Sequence, residues 1–250
     1  MFRILIILLL LGSLSFANKD LDEGEYWFKN RARNSKNDHA DSLIVEKMIH
    51  AYKRALQDST AEEKAAERLL YAYYFKGCYV IDYHNHEARL KLFDESKTFG
   101  EAMHAKFPNN AEITSLYAQN LSLWSSEYGP LQAIKDGVAR QIRDLSTEAK
   151  NWQFLGRAHQ ILPYIPIILS WPDKDLADKY LSWAYKKDPS DLNTSLFLAE
   201  LRLDQKRYTE ALQLVESALA RGVRDAYTVE DKRSRWKLKD LKKKIKEKMQ

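Results

Sequence analysis

The same pattern, one aliphatic residue between two alanines, occurs twice in this chain, 34 residues apart. The two copies are Ala177, Leu181 and Ala184, and Ala211, Val215 and Ala218. Positions i, i+4 and i+7 lie on one face of an α-helix, and alanine lets a neighbouring helix approach closely. A period of 34 residues is typical of stacked helical hairpins. The repeat therefore predicts an all-α fold, a helical-hairpin solenoid.

The rest of the chain supports a helical fold. It contains only eight glycines and six prolines in 250 residues. Apolar residues recur at spacings of three and four, and few stretches alternate apolar and polar residues as a half-buried strand would. We therefore expect almost no strand.

The first 17 residues have the features of a secretory signal. Arg3 precedes an apolar run from Ile4 to Leu11, which is shorter than the ~20 residues of a membrane-spanning helix, and Ser15-Phe16-Ala17 forms a small-residue cleavage site. We therefore predict a signal peptide over residues 1–17 and a periplasmic or secreted protein. A retained membrane anchor is the alternative. No cysteine follows the cleavage site, so lipid attachment there is not expected.

Two further segments precede the C-terminus. Residues 18–38 are polar apart from Tyr26-Trp27-Phe28, and we expect a loosely ordered lead-in or a first short helix there. Residues 39–228 form the predicted helical repeat domain, with about four helix pairs.

The last segment, residues 229–250, carries the positive charge of the chain. Its ten Lys/Arg and four acidic residues give a surplus of +6, against +5 for the whole chain. The body is thus nearly neutral, which does not favour a nucleic-acid-binding protein. Trp236, Leu241, Ile245 and Met249 recur along one side and predict a basic C-terminal capping helix. Peripheral contact of its lysines with a membrane is the alternative.

Residues 150–222 follow a known repeat motif most closely. Trp152, Leu155 and Gly156 occupy its positions 4, 7 and 8, and Pro189 and Leu198 fall at the expected places further on. On these residues the chain resembles tetratricopeptide-repeat proteins. The resemblance implies a tetratricopeptide-like solenoid that binds other molecules.

The register of the repeat is broken in two places. Around Asp82–Lys91 the sequence is consistent with an insertion of roughly 14 residues, and Leu162–Pro172 contains an insertion of about nine. The block Leu155-Gly156-Arg157, the second insertion and Leu196–Glu200 are similar to the periplasmic T-component family of TRAP transporters. That resemblance implies an all-helical protein that associates with substrate-binding partners in solute import, around a central apolar cavity or pore. The missing lipid-attachment cysteine departs from a lipid-anchored member.

The sequence lacks catalytic and metal-binding motifs. It has no glycine-rich phosphate loop, serine elbow or zincin pattern, and its lone Cys78 lies among aromatic residues that suit a buried filler better than a reactive thiol. His84-Asn85-His86 supplies two ligands where structural zinc needs four, so a solvated loop is the simpler interpretation. Glu127 beside Tyr128 is at most the lone acid of a helical lyase. We predict no enzyme, no cofactor and no metal site.

Two groups of residues are candidates for contact with a partner or ligand. Aromatic residues on the first helices of repeats would line the concave face, unless they belong to the core. The proline-rich insertion would contact a partner or an apolar ligand, unless it is a structural plug. The candidates are Tyr71, Tyr73, Tyr74, Tyr117 and Trp124, and in the insertion Tyr164, Ile165, Ile167 and Trp171.

These features favour an exported, non-catalytic binding or scaffold protein of the tetratricopeptide type. Its expected role is accessory to periplasmic solute uptake or envelope assembly, with a protein partner in the envelope. The alternative is a carrier that holds an apolar small molecule inside the helical superhelix.

Overall fold

A computed structural model describes residues 18–250, so the signal-peptide prediction for residues 1–17 lies outside the described residues. The described chain contains twelve α-helices and no β-strand, with isolated bridges only at Lys36–His39 and Ile165–Leu169. None of these helices is both long and apolar enough to span a bilayer. The helices are α1 (Lys19–Lys29), α2 (Ser42–Ala55), α3 (Glu62–Tyr79), α4 (His86–Lys106), α5 (Ala111–Tyr128), α6 (Pro130–Lys135), α7 (Val138–Glu148), α8 (Trp152–Ile161), α9 (Lys174–Lys187), α10 (Leu192–Asp204), α11 (Tyr208–Ala220) and α12 (Thr228–Met249).

Successive helices pack as five hairpins followed by a single helix. The hairpins are α1/α2, α3/α4, α5/α7, α8/α9 and α10/α11; α6 lies in the turn of the third, and α12 packs on α10 and α11. The predicted helical-hairpin solenoid with a C-terminal capping helix is confirmed. Helix α1 lies within residues 18–38, and its packing on α2 gives five helix pairs where the sequence suggested about four.

Short polar residues in the turns determine where many helices begin. Asp41, Asn110 and Asp173 each accept hydrogen bonds from two backbone N–H groups of the following turn, and Asn18 and Asp191 each accept one. These bonds satisfy N–H groups that have no partner inside the helix. The helix starts therefore follow from local sequence.

The repeated alanine pattern lies between helices, as its spacing predicts. Ala184 is half-buried, and the other five residues of the two copies are fully buried. Gly156 on α8 lies so close to α9 that a Cβ atom would be 2.8 Å from Leu181 Cγ. Because interiors are close-packed, a larger residue at position 156 would push α8 and α9 apart.

At the first break in the repeat register, the structure has a short loop followed by a longer helix. We interpreted Asp82–Lys91 as an insertion, but only residues 80–85 form a loop there, and α4 begins at His86 and runs for 21 residues. Asn85 caps this helix by accepting a hydrogen bond from Ala88 N at 3.1 Å. The extra residues therefore lengthen the second helix of the hairpin.

Helix α12 closes the solenoid on itself. Leu238, Leu241 and Ile245 in its second half pack against α10 and α11, whereas Val229 at its start lies in the core of the first three hairpins. This helix of 22 residues, about 33 Å long, bonds to Arg31 beside the first hairpin and packs on α10 and α11 of the last.

The buried side of α12 differs in part from the expected one. Leu241 and Ile245 are buried, but Trp236 and Met249 are exposed. Trp236 lies five residues before Leu241, which places it about 140° around the helix. The buried side instead follows Ser234, Leu238, Leu241 and Ile245.

Candidate functional site

The insertion Leu162–Pro172 connects α8 to α9 at one edge of the stack. Because the two helices of a hairpin run in opposite directions, all turns within hairpins lie at one edge and all turns between hairpins at the other. We call the first the hairpin-turn edge. The chain enters α1 at the opposite edge, where Asn18 Nδ2 donates to Asp58 Oδ2 at 2.7 Å. The insertion thus lies away from the side at which residue 18 enters the fold.

The insertion has a packed base and an exposed tip. Leu169 is buried, and the backbones of Ile165 and Leu169 exchange two hydrogen bonds of 2.8 Å. At the tip, the side chains of Tyr164 and Ile167 are 63% and 96% exposed. Of the four predicted contact residues here, Tyr164 and Ile167 therefore reach solvent, and Ile165 and Trp171 are half-buried.

Ile167 at the tip has a strained backbone. Its φ is 72°, and Ile168 N donates to Pro166 O at 2.8 Å, which closes a three-residue turn around Ile167. Such turns with positive φ are rare, and β-branched residues are outliers in this region of backbone space. Strain of this kind costs about 1–3 kcal/mol. The fold therefore holds an aliphatic side chain in solvent at a cost in stability.

His159 on α8 holds the base of the insertion. Its Nδ1 accepts a hydrogen bond from Asp173 N at 3.1 Å, and its ring packs edge-on against Trp171. Burial lowers the pKa of His159; the carboxylate of Asp173 opposes this effect and Arg143 adds to it. A neutral imidazole can accept the bond from Asp173 N, whereas a protonated one cannot. Protonation therefore weakens the base of the insertion.

We expect His159 to make the protein less stable at pH 5.5 than at pH 7.5. Because its pKa is lower in the folded chain than its ordinary value of 6.5, the unfolded chain binds the proton first. The stabilisation is complete above pH 6.5 and is lost as the pH falls towards the folded-state pKa, by at most about 1.4 kcal/mol per pH unit.

Urea unfolding at the two pH values checks this. The decrease in unfolding free energy from pH 7.5 to pH 5.5 should be smaller in His159→Gln than in the wild type. In His50→Gln, whose side chain is exposed on α2, it should equal that of the wild type. An equal loss in all three proteins would contradict the role given to His159.

Three of the aromatic residues predicted on the first helices lie inside the protein. Tyr73 and Tyr117 belong to the main core. Trp124 is also buried, stacks on Tyr128 and donates from Nε1 to Asp94 Oδ1 at 2.6 Å. Their burial matches the core interpretation that the sequence left open, and we do not include them in a contact surface.

The other two aromatic candidates lie on the side of α3 that faces α12, which we call the inner face. Tyr71 OH donates to Glu230 Oε1 of α12 at 2.7 Å, and the ring of Tyr74 lies beside that of Tyr71. Arg233 of α12 donates to the carbonyl oxygen of Cys78, also on α3. The chain's own C-terminal helix therefore covers this part of the inner face.

Two ion pairs join α12 to the turn between α1 and α2, and we call them the seam. Arg31 Nη2 lies 2.8 Å from Glu230 Oε1, and Arg233 Nε lies 2.7 Å from Asp38 Oδ2. The Arg31 side chain is buried, and its guanidinium lies 4.7 Å from the ring centre of Phe28. These partners are 195 to 199 positions apart in the sequence, so no local pattern could have revealed the seam.

A small apolar pocket lies between the third and fourth hairpins. Its volume is about 80 Å³, and its lining includes Ser125, Pro130, Ile134, Ile142, Ile161 and Leu162. The exposed members, Pro130 and Ile161, lie at the hairpin-turn edge. Pockets that hold a whole small molecule usually measure about 300–1,000 Å³. This pocket therefore suits a single side chain.

Glu127 lies in a buried ion pair rather than in an open cleft. Arg89 Nε donates to its Oε1 at 2.6 Å, and His86 Nδ1 lies 2.7 Å from its Oε2. Burial alone would raise the pKa of Glu127, but the hydrogen bonds from His86 and Arg89 outweigh it and lower the pKa. A carboxyl group that stays ionised is poorly suited to act as a general acid.

His84 lies in the exposed loop before α4, and His86 is engaged by Glu127. Within residues 18–250, no three His, Cys, Asp or Glu side chains are grouped so that they could hold a metal ion.

Comparison with solved structures shows a tetratricopeptide-like fold. The chain is similar to TTC0263, a thermophilic TPR protein of Thermus thermophilus, with a TM-score of 0.60, 14% sequence identity and coverage of 92% of this chain and 98% of that one. Yeast Tom70 also matches, at 14% identity over 98% of this chain and 70% of that one, but its TM-score of 0.21 is too low to indicate a shared overall fold. No family model and no curated protein matches the sequence. The likeness concerns the fold alone.

Proposed function

We propose that this chain is a non-catalytic scaffold of the tetratricopeptide type that contacts a protein partner through the tip of its insertion. The observation that carries the proposal is Ile167, an aliphatic side chain that is 96% exposed on a strained backbone. Strained residues of this kind are found where the surrounding structure enforces them, commonly at binding sites. The packed base gives the tip a fixed shape before binding, which reduces the entropy lost on association.

The inner face offers less to a partner than the hairpin-turn edge does. Helix α12 covers Tyr71 and Tyr74, and two ion pairs hold it there. At the hairpin-turn edge, by contrast, exposed apolar side chains occur in three successive hairpins: Tyr83, Tyr128, Leu131, Ile161, Tyr164, Ile167 and Ile168. Exposed apolar side chains that are grouped at one edge, with polar residues around them, are a feature of protein interaction sites.

Replacing Ile167 with glycine should stabilise the fold and weaken partner binding. Glycine adopts positive φ without strain, so we expect a gain of about 1 kcal/mol after its larger entropy cost is subtracted. Urea unfolding measures the gain. Ile168→Gly is the matched control, because Ile168 is also exposed but has no positive φ, and it should lose stability. Equal destabilisation by both changes would contradict the strain at Ile167.

The proposed setting is the periplasm or the cell exterior, with a role in solute uptake or envelope assembly. The apolar run Ile4–Leu11 and the site Ser15-Phe16-Ala17 support export, with retention as an anchor as the alternative. The similarity of Leu155-Gly156-Arg157 and the insertion to the T-component family supports a link to solute import. Mass spectrometry of the purified N-terminus, together with cell fractionation, tests both parts: an intact Met1 in the cytosol would contradict export.

Co-purification from envelope extracts tests the role of the insertion. Residues 163–168, which are exposed except for the half-buried Ile165, are replaced with a Gly/Ser linker that leaves the buried Leu169 in place. We expect the partner recovered with the wild type to be lost. The control, Val223→Ser, removes an exposed apolar side chain from the turn between α11 and α12, at the opposite edge. Equal recovery of every partner by the tip variant and the wild type would overturn the proposal.

The carrier hypothesis receives less support from the described residues. The apolar pocket between the third and fourth hairpins, at about 80 Å³, is too small for a lipid or another whole ligand. Native mass spectrometry of freshly purified protein distinguishes the two functions. We expect a ligand-free mass, and a retained apolar molecule would favour the carrier.

A further inference from the structure

The hairpin-turn edge carries both a protruding apolar side chain and an apolar hole. Leu162 lines the pocket, and Ile167 follows five residues later at the tip of the insertion. Five residues span at most about 17 Å. A protruding side chain (the knob) and a pocket (the hole) that lie near each other on one surface can form a self-complementary patch. In a two-fold dimer each copy then inserts its knob into the hole of the other.

The sizes of the two parts agree. An apolar cavity of about 150 Å³ holds benzene, with six carbon atoms. By that measure the pocket, at about 80 Å³, has room for about three carbon atoms, the number that an isoleucine side chain carries beyond Cβ. Ile134, Ile142 and Ile161 would surround such a side chain with aliphatic groups. The pocket is thus matched to Ile167 in size, and its lining is mainly apolar, with Ser122, Ser125 and Arg157 as its polar members.

The charges around the knob and the hole are mixed in sign. Lys135 ends α6 beside the hole and Asp136 follows it, and Asp173 and Lys174 follow the insertion; all four are exposed. A surface of one sign would repel a second copy across a two-fold axis, whereas a mixed surface lets acidic and basic groups of the two copies face each other. It is also less suited to an anionic membrane, which attracts basic surfaces.

We infer that the occupant of this edge is a second copy of the chain, with Ile167 of each copy seated in the apolar pocket of the other. The inference rests on the proposed function, because it takes the insertion to be the contact element. It adds the identity of the partner. In this contact two isoleucine side chains are removed from water, which favours association. The strained backbone at each Ile167 is what holds that side chain outward.

Sedimentation velocity of the purified protein, over a concentration series up to roughly 100 µM, tests the inference. We expect the wild type to form dimers and Ile167→Asp to weaken the dimer at least about a hundredfold, because both knobs are lost. Ser125→Leu fills the hole from α5 and should weaken the dimer similarly. Ser125 donates only to Ser122 O of its own helix, so this change removes no hydrogen bond between helices.

Mixing the two variants gives a result that a general loss of solubility or folding would not. Ile167→Asp keeps its hole and Ser125→Leu keeps its knob, so one contact is restored in the mixed dimer. We expect the mixture to associate more strongly than either variant alone. Leu43→Asp is the control: Leu43 is an exposed leucine at the same edge in the first hairpin, and its change should leave the dimer intact.

A wild type that stays monomeric throughout the series would overturn the inference, and so would an unchanged dimer of Ile167→Asp. If Ser125→Leu does not fold, the Ile167→Asp result decides alone. A monomeric wild type that still recovers an envelope partner through residues 163–168 would reject self-association but keep the proposed function. A dimer that recovers no envelope partner would support self-association through the tip and would count against an envelope protein as the partner.

Discussion

Replacing Glu127 with glutamine is expected to lower the free energy of unfolding by about 3 kcal/mol. The change leaves the guanidinium of Arg89, which is 7% exposed, without its counter-charge. Arg89 also donates to the carbonyl oxygen of Gly77, so it cannot leave the interior without breaking the contact between α3 and α4. An unpaired buried charge is far more costly than a lost surface ion pair.

Urea unfolding measures this loss, and a surface pair provides the control. Asp240 and Lys244 on α12 form an exposed pair at 2.7 Å, so Asp240→Asn should leave the unfolding free energy within experimental error. The pKa of Glu127 is lowered in the folded chain, so its stabilisation is present at neutral pH and is lost as the pH falls below the ordinary carboxyl range. If the unfolding free energies of wild type and Glu127→Gln differ only slightly at pH 7, the stabilising role of the buried ion pair is contradicted.

Opening the seam should have the second largest effect. Arg31→Met removes the partner of Glu230, whose other oxygen, Oε2, is buried and has no hydrogen-bond partner among the described residues. We expect a loss of about 3 kcal/mol, because the partly buried carboxylate loses its counter-charge and keeps only the hydrogen bond from Tyr71. Helix α12 should then separate from α3 more often.

Cys78, the only cysteine of the chain, reports this opening directly. It lies on α3 beneath α12, and burial raises the pKa of its thiol, which slows its reaction with disulfide reagents. In Arg31→Met the thiol should react at least about tenfold faster under native conditions. Lys244→Met removes a cation from an exposed ion pair on the same helix α12 and should change neither stability nor thiol reactivity. Equal rates in wild type and Arg31→Met would contradict a seam that covers α3.

Local sequence patterns predicted the architecture because each depends on near neighbours. The alanine repeat places Ala177, Leu181 and Ala211 between helices, and the short spacing of Leu155 and Gly156 marks the close contact of α8 with α9. The insertion was also visible, because an apolar, proline-rich stretch interrupts a regular register. In each case the period of the helix converts sequence directly into position.

The rest depends on contacts that sequence spacing does not encode. Arg31 and Glu230 are 199 residues apart, and they meet because the long last helix α12 contacts the first hairpins as well as the last. The same closure covers Tyr71 and Tyr74, so a concave aromatic surface that the repeat motif predicts is occupied by α12. The strain at Ile167 was likewise hidden, because positive φ is signalled by glycine or asparagine and not by a β-branched residue.

The central claim is that partners meet the hairpin-turn edge and not the inner face, and site-specific photo-crosslinking in living cells tests it most directly. A benzophenone amino acid replaces Ile167 at the exposed tip in one strain and Tyr74, beside α12, in another. We expect protein adducts from position 167, either with an envelope protein or with a second copy, and none from position 74. Adducts from position 74 and none from position 167 would contradict it.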